Sequence, residues 1–230
     1  MGEVWLDGEP PIAITVRRSA RARRYSLRLS RLDGRVTLTV PKRASERDAI
    51  AFAREQRGWL DKQLATQSPA VSITIGVQIP VEGRLARVVG VPDRRGALMG
   101  DLIEVPERTE APGAHVEGLL KAYARDRLVA SSEHYALQIG RKFSRITLRD
   151  TRSRWGSCSA AGSLMYSWRL IMAPPEVLNY VAAHEVAHLR EMNHSNRFWG
   201  LVADICPDYE HHRAWLRSEG AELHRYRFRD

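Results

Sequence analysis

Three histidines, His184, His188 and His194, fall in one short stretch, Ala182-Ala183-His184-Glu185-Val186-Ala187-His188-Leu189-Arg190-Glu191-Met192-Asn193-His194. His184 and His188 are four apart, so on a helix their imidazoles lie one above the other and can share a tetrahedral ion. Glu185 follows His184 by about 100° around the helix, which sets its carboxylate beside that ion and not on it. There it can act as general base toward a metal-activated water. His194 lies six residues past His188, beyond the reach of a straight helix. The chain must turn first, and Asn193 is a residue that tolerates the left-handed conformation ending a helix. A third nitrogen delivered by that turn leaves one position open, the arrangement of a catalytic zinc site and not of a closed structural one. One set of ligands implies one Zn²⁺ per chain.

The elements needed to hold this set are legible around it. Pro174 and Pro175 suit a helix entry, and Val177, Val181, His184 and His188 form one stripe of a helix expected over 175–192. Ser195 is placed as the cap of a helix over 195–204 with Phe198, Trp199 and Val202 inward, and a last helix is expected over 209–219. Strands are expected at 145–149 and at Ser163–Ile171, the latter with Leu164, Tyr166, Trp168 and Leu170 on one face. Upstream, Val116, Leu119, Leu120, Tyr123 and Leu128 mark a long helix that Gly140 ends. Alternating runs at 12–16, 25–29 and 36–40 read as strands, with Asp33-Gly34 as a hairpin turn. Ser45 and Asp48 open a helix carrying Ile50, Ala53, Trp59, Leu60 and Leu64. Residues 71–106 read as short strands. Ala111-Pro112-Gly113 is the expected boundary between an N-terminal module, 1–113, and a catalytic domain, 114–230. The class expected is therefore α+β: a strand-rich module with one helix, then a zincin-like domain in which a short sheet backs the His-bearing helix.

Composition narrows the setting. A hydrophobic fraction of 43% and a charged fraction of 27% are those of an ordinary globular chain. No run approaches the roughly 18 apolar residues of a membrane span, and the acids and prolines of residues 1–11 do not resemble a secretory signal. With only Cys158 and Cys206, a reducing compartment is the expectation, and cytoplasm the default. The net charge is +9, and Arg17, Arg18, Arg21, Arg23, Arg24, Arg28, Arg31 and Arg35 face one acid, Asp33. Such a patch suits the phosphates of nucleic acid or an acidic protein, and a solvated sheet face accounts for it as simply.

Two families share three histidines at these intervals and fit less well. Metzincins carry Gly where this chain has Glu191 and a methionine after the third ligand, whereas no Met follows Met192 here. Bacterial rRNA-maturation endonucleases have Gly in the place of Glu185. The chain more closely resembles the YgjP-like metallopeptidases, related to SprT-type proteases. The resemblance rests on Arg152-Ser153-Arg154-Trp155-Gly156-Ser157-Cys158-Ser159, Trp168-Arg169-Leu170 and Ala173-Pro174-Pro175-Glu176-Val177-Leu178. It extends through the histidine segment to Asn193-His194-Ser195, Phe198-Trp199 and Cys206-Pro207-Asp208-Tyr209. It implies a zinc-dependent protease acting on protein or peptide substrates, with a small β-rich part before an α-β-α catalytic part.

Other residues are candidates for the same chemistry. Ser163–Ile171 is a candidate edge strand for pairing with an extended substrate. Arg152 or Arg154, and Tyr209, His211 or His212, are candidates to bind substrate or stabilise an oxyanion, with Arg152 and Tyr209 preferred. Asp204, Glu191 and Glu210 are candidates to orient the ligand imidazoles. Against peptidase activity stand a metal-dependent nuclease or other hydrolase, and a nucleic-acid-associated zinc module without proteolysis.

Overall fold

The computed structural model describes residues 2–30, 34–65, 68–92 and 96–229. Arg31 and Asp33 lie outside them. The chain forms two compact units, Met1–Pro69 and Ala70–Asp230.

In the first unit, β1 (Gly2–Leu6), β2 (Ile12–Ser19), β3 (Ser26–Leu29) and β4 (Val36–Pro41) form a sheet in the order β1-β2-β4-β3. β2 and β4 run parallel, and β3 returns antiparallel to β4 as a hairpin. The period-two pattern buries Ile12, Ile14, Val36, Leu38 and Val40 on one face. Ala49, Ala53 and Leu60 cover that face from α1 (Glu46–Glu55) and α2 (Arg57–Ala65). Ser45 caps α1 by accepting a hydrogen bond from the Asp48 amide. The single helix expected here is interrupted at Gln56, and Trp59 is 42% exposed instead of packed. Strand β1 had no counterpart among the expected elements.

The second unit begins with β5 (Val71–Ser72), β6 (Gln78–Val81), β7 (Arg84–Val91), β8 (Leu98–Met99) and β9 (Leu102–Pro106). The last four make a sheet ordered β6-β7-β9-β8. α3 (Pro112–Gln138) follows, ended near Gly140, whose φ of +62° a side chain would resist. β10 (Arg145–Arg149), β11 (Gly156–Cys158) and β12 (Ser163–Ser167) form a three-stranded sheet ordered β10-β12-β11. The His-bearing helix α4 (Pro175–Ala187), α5 (Asn196–Ile205), α6 (Tyr209–Ser218) and β13 (Tyr226–Arg227) complete the chain, and β13 pairs in parallel with β5.

The division falls between Pro69 and Ala70, ahead of the boundary expected at 113. The physical reason is burial. Ile79, Val88, Ile103 and Val105 of the 71–106 strands enter the same core as Val116, Leu120 and Leu128 of α3 and Val181 and Val186 of α4. A Pro-Gly pair thus marks a helix start inside a unit, not a linker. The last expected strand is also shorter: it stops at Ser167, and Trp168–Met172 form a 3₁₀ turn. Trp168, Leu170 and Ile171 are each 0% exposed there, so burial without alternation mimicked a longer strand.

Candidate metal centre

α4 enters through Pro174 and Pro175 and is buried nearly all round, with Val177, Leu178, Val181, Ala182, Ala183 and Val186 inside. Such a helix is fixed by its packing, at roughly 1.5–3 kcal/mol for each large apolar side chain fully removed from water. It presents His184 and His188 at its last turn. The helix is shorter than expected: it ends at Ala187, with His188 as its C-cap. The reversal is made by tightened bonds, Leu189 N to Val186 O at 2.9 Å and Arg190 N to Ala187 O at 3.0 Å. Asn193 does not take positive φ; Glu82 is the one non-glycine that does among the described residues. The Ser195 amide bonds to Asn193 O at 2.8 Å, and Ser195 then caps α5 through the Phe198 amide.

This turn brings one ring nitrogen from each of His184, His188 and His194 within 4.8 Å of one another. Nε2 of His184 and Nε2 of His194 are 3.0 Å apart. Tetrahedral zinc with bonds of about 2.0–2.1 Å separates its nitrogens by about 3.3 Å. The donor set fits a metal ion for a second reason. Burial, then His188, His194 and Arg213, push the His184 imidazole down to about 3, and burial also lowers His188. Both are neutral near pH 7, the form that offers a lone pair. His188 Nδ1 lies 3.0 Å from the backbone oxygen of Glu191, an acceptor that holds the proton on Nδ1 and leaves Nε2 for a ligand. The backbone of Glu191 therefore serves where a side-chain carboxylate was expected. Nδ1 of His184 is buried with no hydrogen-bond partner among the described residues. Phe198, 0% exposed, floors the cluster, its ring 4.5 Å from that of His188.

Glu185 is 6% exposed and outside the donor set. Its carboxylate lies against β11, where a β-carbon on Gly156 would sit 2.5 Å from Oε1 and 2.6 Å from Cγ. Burial pushes this carboxyl up to about 8, with the Arg154 charge opposing. Gly156 was legible only as part of the Arg152–Ser159 segment, because nothing in its sequence position tells which side chain fills the space of its missing one. Cys158, beside Glu185, is pushed up to about 11 by burial and by that carboxylate, so it stays a thiol.

The remaining candidates separate. Arg154, not Arg152, is the arginine whose charge acts on Glu185. Arg152 acts on Asp150 and His224. The Tyr209 ring stacks on Trp199 at 5.4 Å, and Trp199 stacks on His194 at 5.7 Å, while the Tyr209 hydroxyl donates to Glu210. Arg213 places its guanidinium 4.4 Å over the same Trp199 ring. His211 and His212 are outside the triad. Ser163–Ile171 is not an edge: β12 is paired on both sides, and the edge strand beside α4 is β11.

A YgjP-like metallopeptidase-domain family model matches residues 23–219. No curated protein and no solved structure gives a significant match. The match spans most of the chain, including the three histidines, Glu185 and the Gly156 cradle, and the chain belongs to the YgjP-like metallopeptidase family.

Proposed function

We propose that this chain is a zinc-dependent endopeptidase with one Zn²⁺ held by His184, His188 and His194 and with Glu185 as general base. The observation carrying this reading is the position of Glu185: buried, next to His184 on the same helix yet outside the donor set, and seated against a glycine that leaves it room. The ion, when bound, supplies Lewis acidity that polarises a carbonyl and makes water a nucleophile near neutral pH. The side chains do the rest. Glu185 takes the proton of the attacking water on a carboxylate oxygen and passes it to the leaving amine. The Arg154 charge favours the ionised carboxylate, the form that can accept this proton, against the burial that disfavours it. An extended substrate adds to the free edge of β11, whose backbone groups at Gly156 and Cys158 point away from β12 by the alternation of the pairing. Trp199 and Tyr209 line the approach at His194.

The test is hydrolysis of casein by zinc-loaded protein, with and without chelator, beside labelled RNA and DNA. Casein cleaved, chelator-sensitive and restored by zinc, is the expected result. Cleavage of nucleic acid with casein intact would transfer the site to a nuclease.

Two substitutions probe separate parts of the site. His194→Ala leaves two protein ligands, so zinc affinity should fall by at least about 100-fold, since even outer-sphere changes cost about 10–100-fold. Competition with a chromophoric chelator reads this, and unchanged affinity would move the third ligand elsewhere. Gly156→Ala forces the Glu185 carboxylate aside. Zinc should be retained while turnover drops on the order of 10²-fold, the usual consequence of displacing a reacting group by about 1 Å. Full activity in that variant would show that the carboxylate's seat on β11 is irrelevant.

A further inference from the structure

The net charge of +9 has a single address. Residues 12–45 carry ten Arg and Lys and one acid, and the other 26 basic residues are balanced by the other 26 acids. The first unit then gathers most of these cations at one end of its sheet. β2 and β4 run parallel and β3 returns antiparallel, so the end of β2, the β2–β3 connection and the segment after β4 meet there. Arg17 and Arg18 end β2. Arg21, Arg23 and Arg24 sit on the connection, and Lys42 and Arg43 follow β4. All seven are exposed, and none forms an ion pair among the described residues. Arg18 instead braces the segment after β4, donating to the Lys42 and Ala44 backbone oxygens. One acid, Glu46, lines a cleft of about 460 Å³ with Arg17 and Arg18.

From this end a sheet face extends that no element of the unit covers, since α1 and α2 pack on the opposite side. The register aligns Arg17, Thr39 and Ser26 in one row and Glu3, Thr15, Thr37 and Arg28 in the next. Trp5 stands beyond them beside Ala13, 58% exposed. The face is thus hydroxyl-bearing and basic, with one indole and one acid.

We infer that this surface binds single-stranded nucleic acid, phosphates at the arginine-rich end and bases across the open face toward Trp5. Guanidinium groups match phosphate oxygens in a bidentate fork, and a phosphodiester chain supplies the regular row of anions that seven exposed cations attract. Threonine and serine hydroxyls add phosphate contacts, and an exposed indole offers a stacking platform indifferent to base identity. The inference does not rest on the peptidase reading.

The test uses the full chain and fluorescein-labelled oligo-dT and oligo-U, read by anisotropy. If about five phosphates are neutralised, log affinity falls with log salt at a slope of about −3.5, or roughly 100-fold between 50 and 200 mM. Combined reversal of Arg21, Arg23 and Arg24 to Glu should abolish binding with the circular-dichroism spectrum unchanged, and Trp5→Ala should weaken it about 5–100-fold. Absence of binding at 50 mM salt, or binding that survives the triple reversal, overturns the inference. Displacement of the oligonucleotide by polyglutamate at equal charge concentration would reassign the surface to acidic proteins. A duplex that binds more tightly than either strand would overturn the single-stranded assignment.

Discussion

Glu185→Gln should yield a folded protein that loads zinc normally and hydrolyses peptides about 10²–10⁴ times more slowly. Glutamine fills the same space against Gly156 and keeps one oxygen, so packing against β11 survives. It cannot hold the proton taken from the attacking water. The expected loss corresponds to about 3–5 kcal/mol of barrier. Zinc content and casein turnover measured on the same preparation separate the outcomes. Zinc lost with activity would make Glu185 a structural or ligating group. Zinc and activity both kept would place the base elsewhere and reopen the nuclease reading, which has no need of this carboxylate.

The second large effect lies away from the metal. Arg169, 7% exposed, grips the C-terminal segment from the 3₁₀ turn after β12. It makes a two-pronged pair with Asp150 at 2.7 and 3.0 Å and donates to the backbone oxygens of Leu223 at 2.8 Å and Tyr226 at 3.1 Å. Its guanidinium also lies 4.9 Å from the Trp168 ring and 5.3 Å from that of Phe228. Removing it strands Asp150 and two carbonyls at once. Arg169→Met should therefore lower unfolding stability by about 1–3 kcal/mol, the usual result of leaving buried carbonyls without their donor, because Asp150, 42% exposed, recovers much of its loss from water. Arg169→Lys should recover only part of this, because an ammonium lacks the fork that spans a carboxylate and two carbonyls. Urea titration by tryptophan fluorescence reads both variants. A loss below about 1 kcal/mol in Arg169→Met would mean that the C-terminal segment is held by packing alone.

The histidine set was readable because its chemistry is local. His184, Glu185 and His188 are related by the pitch of one helix, and His194 needs only a short turn, so type and spacing carry the geometry. Strands β2, β3, β4, β6, β7, β9 and β10 were readable for a similar reason, each having its own alternation or turn residues. What depended on distant parts of the chain was not readable. The unit boundary depends on which core Ile79, Val88 and Ile103 enter, and that is set by α3 and α4, not by the Pro-Gly punctuation between them. The end of α4 at Ala187 depends on where His194 must return, and on the Glu191 carbonyl that meets His188 Nδ1. β11 rather than β12 is the edge because β10 crosses to pair with β12, a long-range choice that no local pattern encodes. Arg152 and Arg154 are the same residue type two positions apart. Only the packed turn assigns the first to Asp150 and His224 and the second to Glu185, since electrostatic partnership is fixed by distance and burial in the folded chain.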